Sequence, residues 1–181
     1  MRGPDAMTDL APLGALLAQL RVVVAGLDDE RFRRTPSGAV NGSIGAHVRH
    51  CLDHVRALCD GGPVGRIDYD ARRRGTLVES DRTAALAALA AAESLLREVA
   101  VDQATPVEVV ALVTPTASPR SYGSTFGREA LFVLSHTIHH QALIAAALPP
   151  AAGLPSRGFG LAPATAAHAA QREQGGDPCA R

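Results

Sequence analysis

Two apolar helical stretches each carry a line of histidines, and this feature restricts the fold more than any other. The segment IGAHVRHCLDHVRALC holds His47, His50 and His54, and the later segment FVLSHTIHHQALI holds His136, His139 and His140. At about 100° per residue, the first three span only about 60° of the helix circumference. Their line coincides with the apolar positions Ile44, Cys51 and Leu58. His136 and His140 stand one turn apart on a single face, in a stripe with Glu129, Phe132, Val133, Leu143 and Ala147. Both helices therefore turn imidazoles inward. A buried imidazole without a partner costs about 1–3 kcal/mol, so the two faces must find each other, water or a cation.

The remaining pattern supplies two more helices. Leu10, Leu13, Leu17, Leu20, Val24 and Leu27 recur at spacings of three and four, one apolar stripe on a helix. Asp28-Asp29 and Pro36-Ser37-Gly38 then mark a long loop. The first histidine helix opens near Asn41-Gly42-Ser43, where Asn or Ser caps free amides, and stops at Gly61-Gly62-Pro63. The polar stretch PVGRIDYDARRRGTLVES reads as irregular. Ser80 or Asp81 caps a helix over DRTAALAALAAAESLLREVA, built from strong helix formers. Prolines 106, 115 and 119 break the chain, and VEVVALVTP between them reads as a short strand in a hairpin. Ser124 or Thr125 starts the last long helix, which ends before Pro149-Pro150.

With 3% aromatic residues and no Trp, alanine and leucine fill the core, which favours helices over sheets. The expected fold is all-α: a four-helix bundle with a long crossover between helices 2 and 3 and a short β hairpin before helix 4. Residues 1–150 form this bundle, and 151–181 a tail in which FGLAPA packs down and Gln171 to Arg181 is loose.

Eighteen basic and eighteen acidic residues leave no net charge, against a general nucleic-acid surface. The absence of Lys excludes a Schiff-base lysine mechanism. Cys51, Cys59 and Cys179 have no CxxC spacing and form no disulfide framework; Cys51 and Cys59 read as small buried hydrophobes. The opening MRGPDAMTDL lacks an apolar signal core, and no 18-residue apolar run is free of charge or histidine. These features predict a cytoplasmic protein with no membrane partner.

Two inward faces can meet to give one ligand from His47, His50 or His54 and two from His136 and His140. His139 is a third ligand, a supporting group or a surface residue. Neutral imidazole suits Zn, Ni, Cu and Fe, and such a three-nitrogen site lowers the pKa of water or a thiol bound to it. Thr137 follows His136, so the HExxH glutamate of zincin proteases is absent. Candidate helpers are Glu129 as a base, a partner to a ligand or merely an acid at the positive helix end, Asp53 orienting an imidazole or paired with Arg49 or Arg56, and Tyr122 lining the pocket or filling core. Arg72, Arg73 and Arg74 either meet an anionic substrate or form a solvated loop.

SIGAHVRHCLDH followed by SHTIHHQALI resembles the DinB-like (YfiT-type) four-helix-bundle superfamily of metalloenzymes, over roughly Leu10 to Leu148. That superfamily includes bacillithiol- and mycothiol-dependent S-transferases and related hydrolases. The resemblance implies an up-down-down-up helix order and a divalent ion, Zn or Ni. It implies His50 as the ligand seven residues past Ser43, with His136 and His140 as the HxxxH pair. It further implies a metal-activated thiol or water acting on a small-molecule substrate, with a low-molecular-weight thiol as a possible cofactor. The chain departs from the pattern in having Gly42 where Trp often precedes SIG, and His47, His54 and His139 are additional. His54 or His47 therefore stands as an alternative ligand. Two other readings remain: a non-catalytic, homodimeric stress-related metal-binding module, or a bundle whose histidines satisfy one another.

Overall fold

A computed structural model describes residues 7–36, 41–148 and 158–173. The chain is mostly helical with one small sheet. Four long helices dominate: α1 (Ala11–Ala25), α3 (Ile44–Gly61), α4 (Arg82–Glu98) and α5 (Phe126–Ala147). Among the described residues α1 packs on α4, α4 on α3, α3 on α5 and α5 on α1. The helices thus enclose one core, filled mainly by Leu, Val and Ala, with Phe32 and Phe126 as its largest members.

Local chemistry sets most helix starts. Ser43 Oγ accepts the Ala46 amide at 3.1 Å, Asp81 the Ala84 amide at 3.0 Å and Thr125 the Arg128 amide at 3.3 Å. Asp81 and Thr125 are thus the caps, rather than Ser80 and Ser124. The expected loop after α1 contains a short helix instead, α2 (Asp29–Arg33), capped by Asp28 at 2.8 Å. Its reason is Phe32, which is fully buried and holds that turn against α3. Residues 37–40 of the expected Pro36-Ser37-Gly38 loop, and Pro149-Pro150, lie outside the described residues.

The crossover between α3 and α4 is less irregular than its sequence suggests. It contains β1 (Arg66–Asp68) and a single 3-10 turn at Leu77–Glu79. β1 pairs in parallel with β2 (Pro106–Ala111), which pairs antiparallel with β3 (Arg120–Thr125). The expected hairpin is thus present and extended by a third strand, so the fold is not purely helical. β1 is only three residues long and buries only Ile67, which is too little alternation to read from sequence. Arg49 ties the 3-10 turn to α3, pairing with both Glu79 and Asp53.

The last long helix buries a stripe rotated from the expected one. Val133, Thr137, His140, Gln141 and Ile144 are buried, whereas Phe132, His136, Leu143 and Ala147 are half-buried. Besides Glu129 and His140, two polar side chains of this helix are buried, and both are satisfied. Thr137 Oγ1 donates to the Val133 carbonyl at 2.8 Å, and Gln141 Nε2 to the Leu16 carbonyl at 3.0 Å. By length and composition α5 could cross a membrane, but here it is a core helix packed on α1 and α3.

The tail beyond α5 also differs. Phe159 is buried, and a helix α6 (Pro163–Glu173) takes in Gln171–Glu173, which read as loose. Residues 174–181, including Cys179, lie outside the described residues.

Candidate metal centre

The facing of α3 against α5 brings five imidazoles together. His50 Nε2 and His136 Nε2 are 2.9 Å apart. One donor nitrogen each from His50, His136 and His140 lies within 4.8 Å of the other two. His140 is also linked to His47, Nδ1 to Nδ1, at 3.0 Å. His54 donates its Nδ1–H to the His50 carbonyl one turn back, at 3.0 Å, and its ring stacks on His136 with centroids 4.1 Å apart. His139 is exposed and stands beside the group, its ring 5.3 Å from that of His140.

A wall of aromatic side chains closes one side. Tyr69, from the crossover, stacks on His54 at 5.2 Å with planes 13° apart, and Phe132 packs against both Tyr69 and His136. Tyr69 donates its hydroxyl hydrogen to Glu129 Oε2 at 3.0 Å. The other Glu129 oxygen accepts from Ser124 at 2.6 Å and from Arg128 at 2.9 Å. Glu129 is therefore buried and fully occupied: it anchors Tyr69, which in turn backs His54.

Electrostatics keep the imidazoles neutral. Burial, then the neighbouring His54, His140, Arg72 and His136, pushes His50 down to about 2. Burial first and then His54, His139 and Arg72 bring His136 to about 4. His140 falls to about 3, again mainly through burial and then His136. Burial also lowers His47 and His54. Five neutral imidazoles are five potential ligands at pH 7. The thiols of Cys51 and Cys59, by contrast, are pushed up to about 12 by burial and remain protonated.

The His50–His136 pair fits a divalent cation. Two imidazole nitrogens bound to one ion at about 2.0–2.1 Å stand about 2.9–3.4 Å apart for angles of about 90–110°. The His50–His136 separation of 2.9 Å falls in that interval. With His140 Nδ1 engaged by His47, its Nε2 is the nitrogen left for an ion. His50 and His136 are only half-buried, so the cluster opens on their side.

The other sequence candidates divide. Asp53 is paired with Arg49 at 2.7 Å, and its charge reaches the cluster only by raising the basicity of His54. Tyr122 is exposed on β3 opposite Val109 and takes no part. The arginine run splits: the charge of Arg72 acts on His50, His54 and His136, while Arg73 lines a cavity of about 220 Å³ with Arg56, Asp60 and Asp68. A larger cleft, about 630 Å³, lies between the start of α1 and the end of α4 and includes none of the histidines. Tyr69 was missed, because IDYDARRRG has no periodicity. Its one signal is scarcity: in a chain with two Tyr and four Phe, each aromatic deserved a role.

The sequence profile of the DinB superfamily matches residues 13–144. The chain belongs to the DinB superfamily. The matched span begins at the first buried leucine of α1 and ends at Ile144, so it takes in both histidine helices of this DinB-superfamily chain. No curated protein and no solved structure matches it.

Proposed function

We propose that this member of the DinB superfamily is a metal-dependent enzyme in which His50, His136 and His140 hold a divalent cation, Zn or Ni. Convergence of these three side chains from two helices within 4.8 Å carries the reading. When bound, the cation supplies positive charge that makes a thiol or a water beside it nucleophilic at neutral pH, for thiol transfer or hydrolysis. The chain's own groups hold and shield the centre. Tyr69, His54 and Phe132 form a stacked wall that fixes the His136 ring and excludes water from one side. Arg72, held by the Tyr69 carbonyl at 3.3 Å and paired with Asp70 at 3.6 Å, brings its charge close enough to act on His50. A small anionic substrate or a carboxylate-bearing thiol fits that arrangement. The closed cycle of α1, α4, α3 and α5 supports a four-helix bundle.

A second reading has its own support. The distances of 2.9 Å for His50–His136 and 3.0 Å for His47–His140 are also those of N–H···N hydrogen bonds, so the histidines can satisfy one another without an ion. Metal analysis of protein purified without a histidine tag separates the two. The enzyme reading expects about one cation per chain, loss of that cation in His50→Ala, and a melting temperature lowered by EDTA, since an ion at a thousand times its Kd adds about 4 kcal/mol. A metal-free protein indifferent to both EDTA and added Zn would establish the hydrogen-bonded alternative.

A further inference from the structure

His47 belongs to neither the proposed ligand set nor the aromatic wall, yet it is 6% exposed on the inner face of α3. Its Nδ1 meets His140 Nδ1 at 3.0 Å, and its Nε2 is buried with no hydrogen-bond partner. One hydrogen lies between the two Nδ1 atoms, and each neutral ring carries only one. If His47 Nδ1–H donates, the hydrogen of His140 sits on Nε2 and blocks that nitrogen as a ligand. If His140 Nδ1–H donates, His140 Nε2 presents a lone pair and His47 carries its hydrogen on the partnerless Nε2. The unsatisfied donor is the cost of the ligating arrangement. Gly42 leaves room there: a Cβ at that position would lie 3.8 Å from His47 Nε2.

We propose that His47 is a positioning residue for the metal centre: by accepting the Nδ1–H of His140 it fixes the His140 tautomer and ring and turns Nε2 toward the cation shared with His50 and His136. The proposal rests on the three-histidine reading above. Groups that receive the second N–H of a ligating histidine typically change metal affinity 10–100-fold when removed. His47 plays that part from inside the helix that supplies His50, so one helix both ligates the ion and orients a ligand on its neighbour.

The test is Zn(II) affinity, measured by competition with a chromophoric chelator at pH 7.5 on the full chain. His47→Leu, which keeps an apolar side chain in the site, is expected to weaken Zn(II) binding about 10–100-fold. His47→Asn, whose Oδ1 can stand where Nδ1 stood, is expected to recover affinity to within a few-fold of the parent. A purely structural role would give no such rescue. Nitrogen-15 NMR of the parent protein supplies a reading that needs no variant: with Zn(II) bound, His140 should be the Nδ1–H tautomer and His47 the Nε2–H tautomer. The opposite tautomers, or a folded His47→Leu variant with parental affinity, overturn the proposal. Retained stoichiometric metal in His50→Ala would bring down the three-histidine site and this inference together. If His50→Ala loses its metal while His47→Leu keeps full affinity, only the role of His47 falls.

Discussion

Gly45→Ala should unfold at markedly lower urea concentration than the parent, with stability reduced by about 2–3 kcal/mol, the upper part of the overpacking range. Gly45 is in the first turn of α3, two residues before His47. A Cβ there would overlap the Glu79 carbonyl oxygen and approach the Glu79 carbonyl carbon to 2.8 Å and Phe32 Cε1 to 2.9 Å. None of these can yield easily. Phe32 is fully buried, and Glu79 belongs to the 3-10 turn that Arg49 pins to α3. One methyl group therefore pushes α2 and the crossover away from the histidine helix at once. Equilibrium urea unfolding checks the expectation through the midpoint at constant slope. A parental midpoint would mean that the crossover does not sit tightly on α3.

Acid should act on the same helix pair through charge. His50, His140 and His136 are held at about 2, 3 and 4 in the fold, against about 6.5 in an unfolded chain. The folded values are the depressed ones, so between them and pH 6.5 the unfolded chain binds more protons. Stability then rises with pH across that window. The contribution is fully present above about pH 6.5 and is lost as pH falls toward 4 and below. Metal must leave in the same direction, because a protonated imidazole has no lone pair to give. Two measurements check this. The metal-free protein should lose melting temperature steadily between pH 7 and pH 4, and Zn(II)-loaded protein should hold its ion down to about pH 4 and release it below. His50→Leu should flatten the first curve. A melting temperature constant from pH 7 to pH 4 would show that these imidazoles are not buried neutral.

Much of this centre was legible in the chain because helical spacing is a strong geometric rule. Once IGAHVRHCLDH and SHTIHHQALI are helices, His47, His50 and His54 fall on one inward face and His136 and His140 on the other; the resemblance to the superfamily implied His50 among the first three, and His50, His136 and His140 do lie together. The rule fixes faces only to within tens of degrees. That is why α5 buries Thr137 and Gln141 where Leu143 and Ala147 were expected: partner helices on two sides select the buried stripe, and polar side chains enter it when backbone carbonyls are in reach. Of the two readings of Asp53, orienting an imidazole or pairing with Arg49 or Arg56, the structure shows the ion pair with Arg49 at 2.7 Å, a charge-assisted contact. Tyr69 and the strand at Arg66–Asp68 were invisible for a different reason. Their places are set by neighbours distant in sequence, Glu129 and β2, and a three-residue strand has too few positions to show a pattern. The helix read as loop, α2, and the one read as a tail, α6, are short or polar, and α2 is held by a single deeply placed phenylalanine.

Phe159 and Gly160 lie beyond the last residue of the superfamily match, at 144. Gly160 has φ of +73° and rests directly on α5, where a Cβ would stand 2.7 Å from the Ala142 backbone nitrogen and Cα. Its amide reaches Gln141 Oε1 at 3.3 Å, and the same carboxamide holds the Leu16 carbonyl of α1. One glutamine thus clips the C-terminal segment, the helix of His140 and the first helix into a single seam. The evolutionary module and the physical one have different edges. A chain trimmed to the shared homology would lose the amide that caps the Gln141 oxygen on the helix that presents two of its imidazoles.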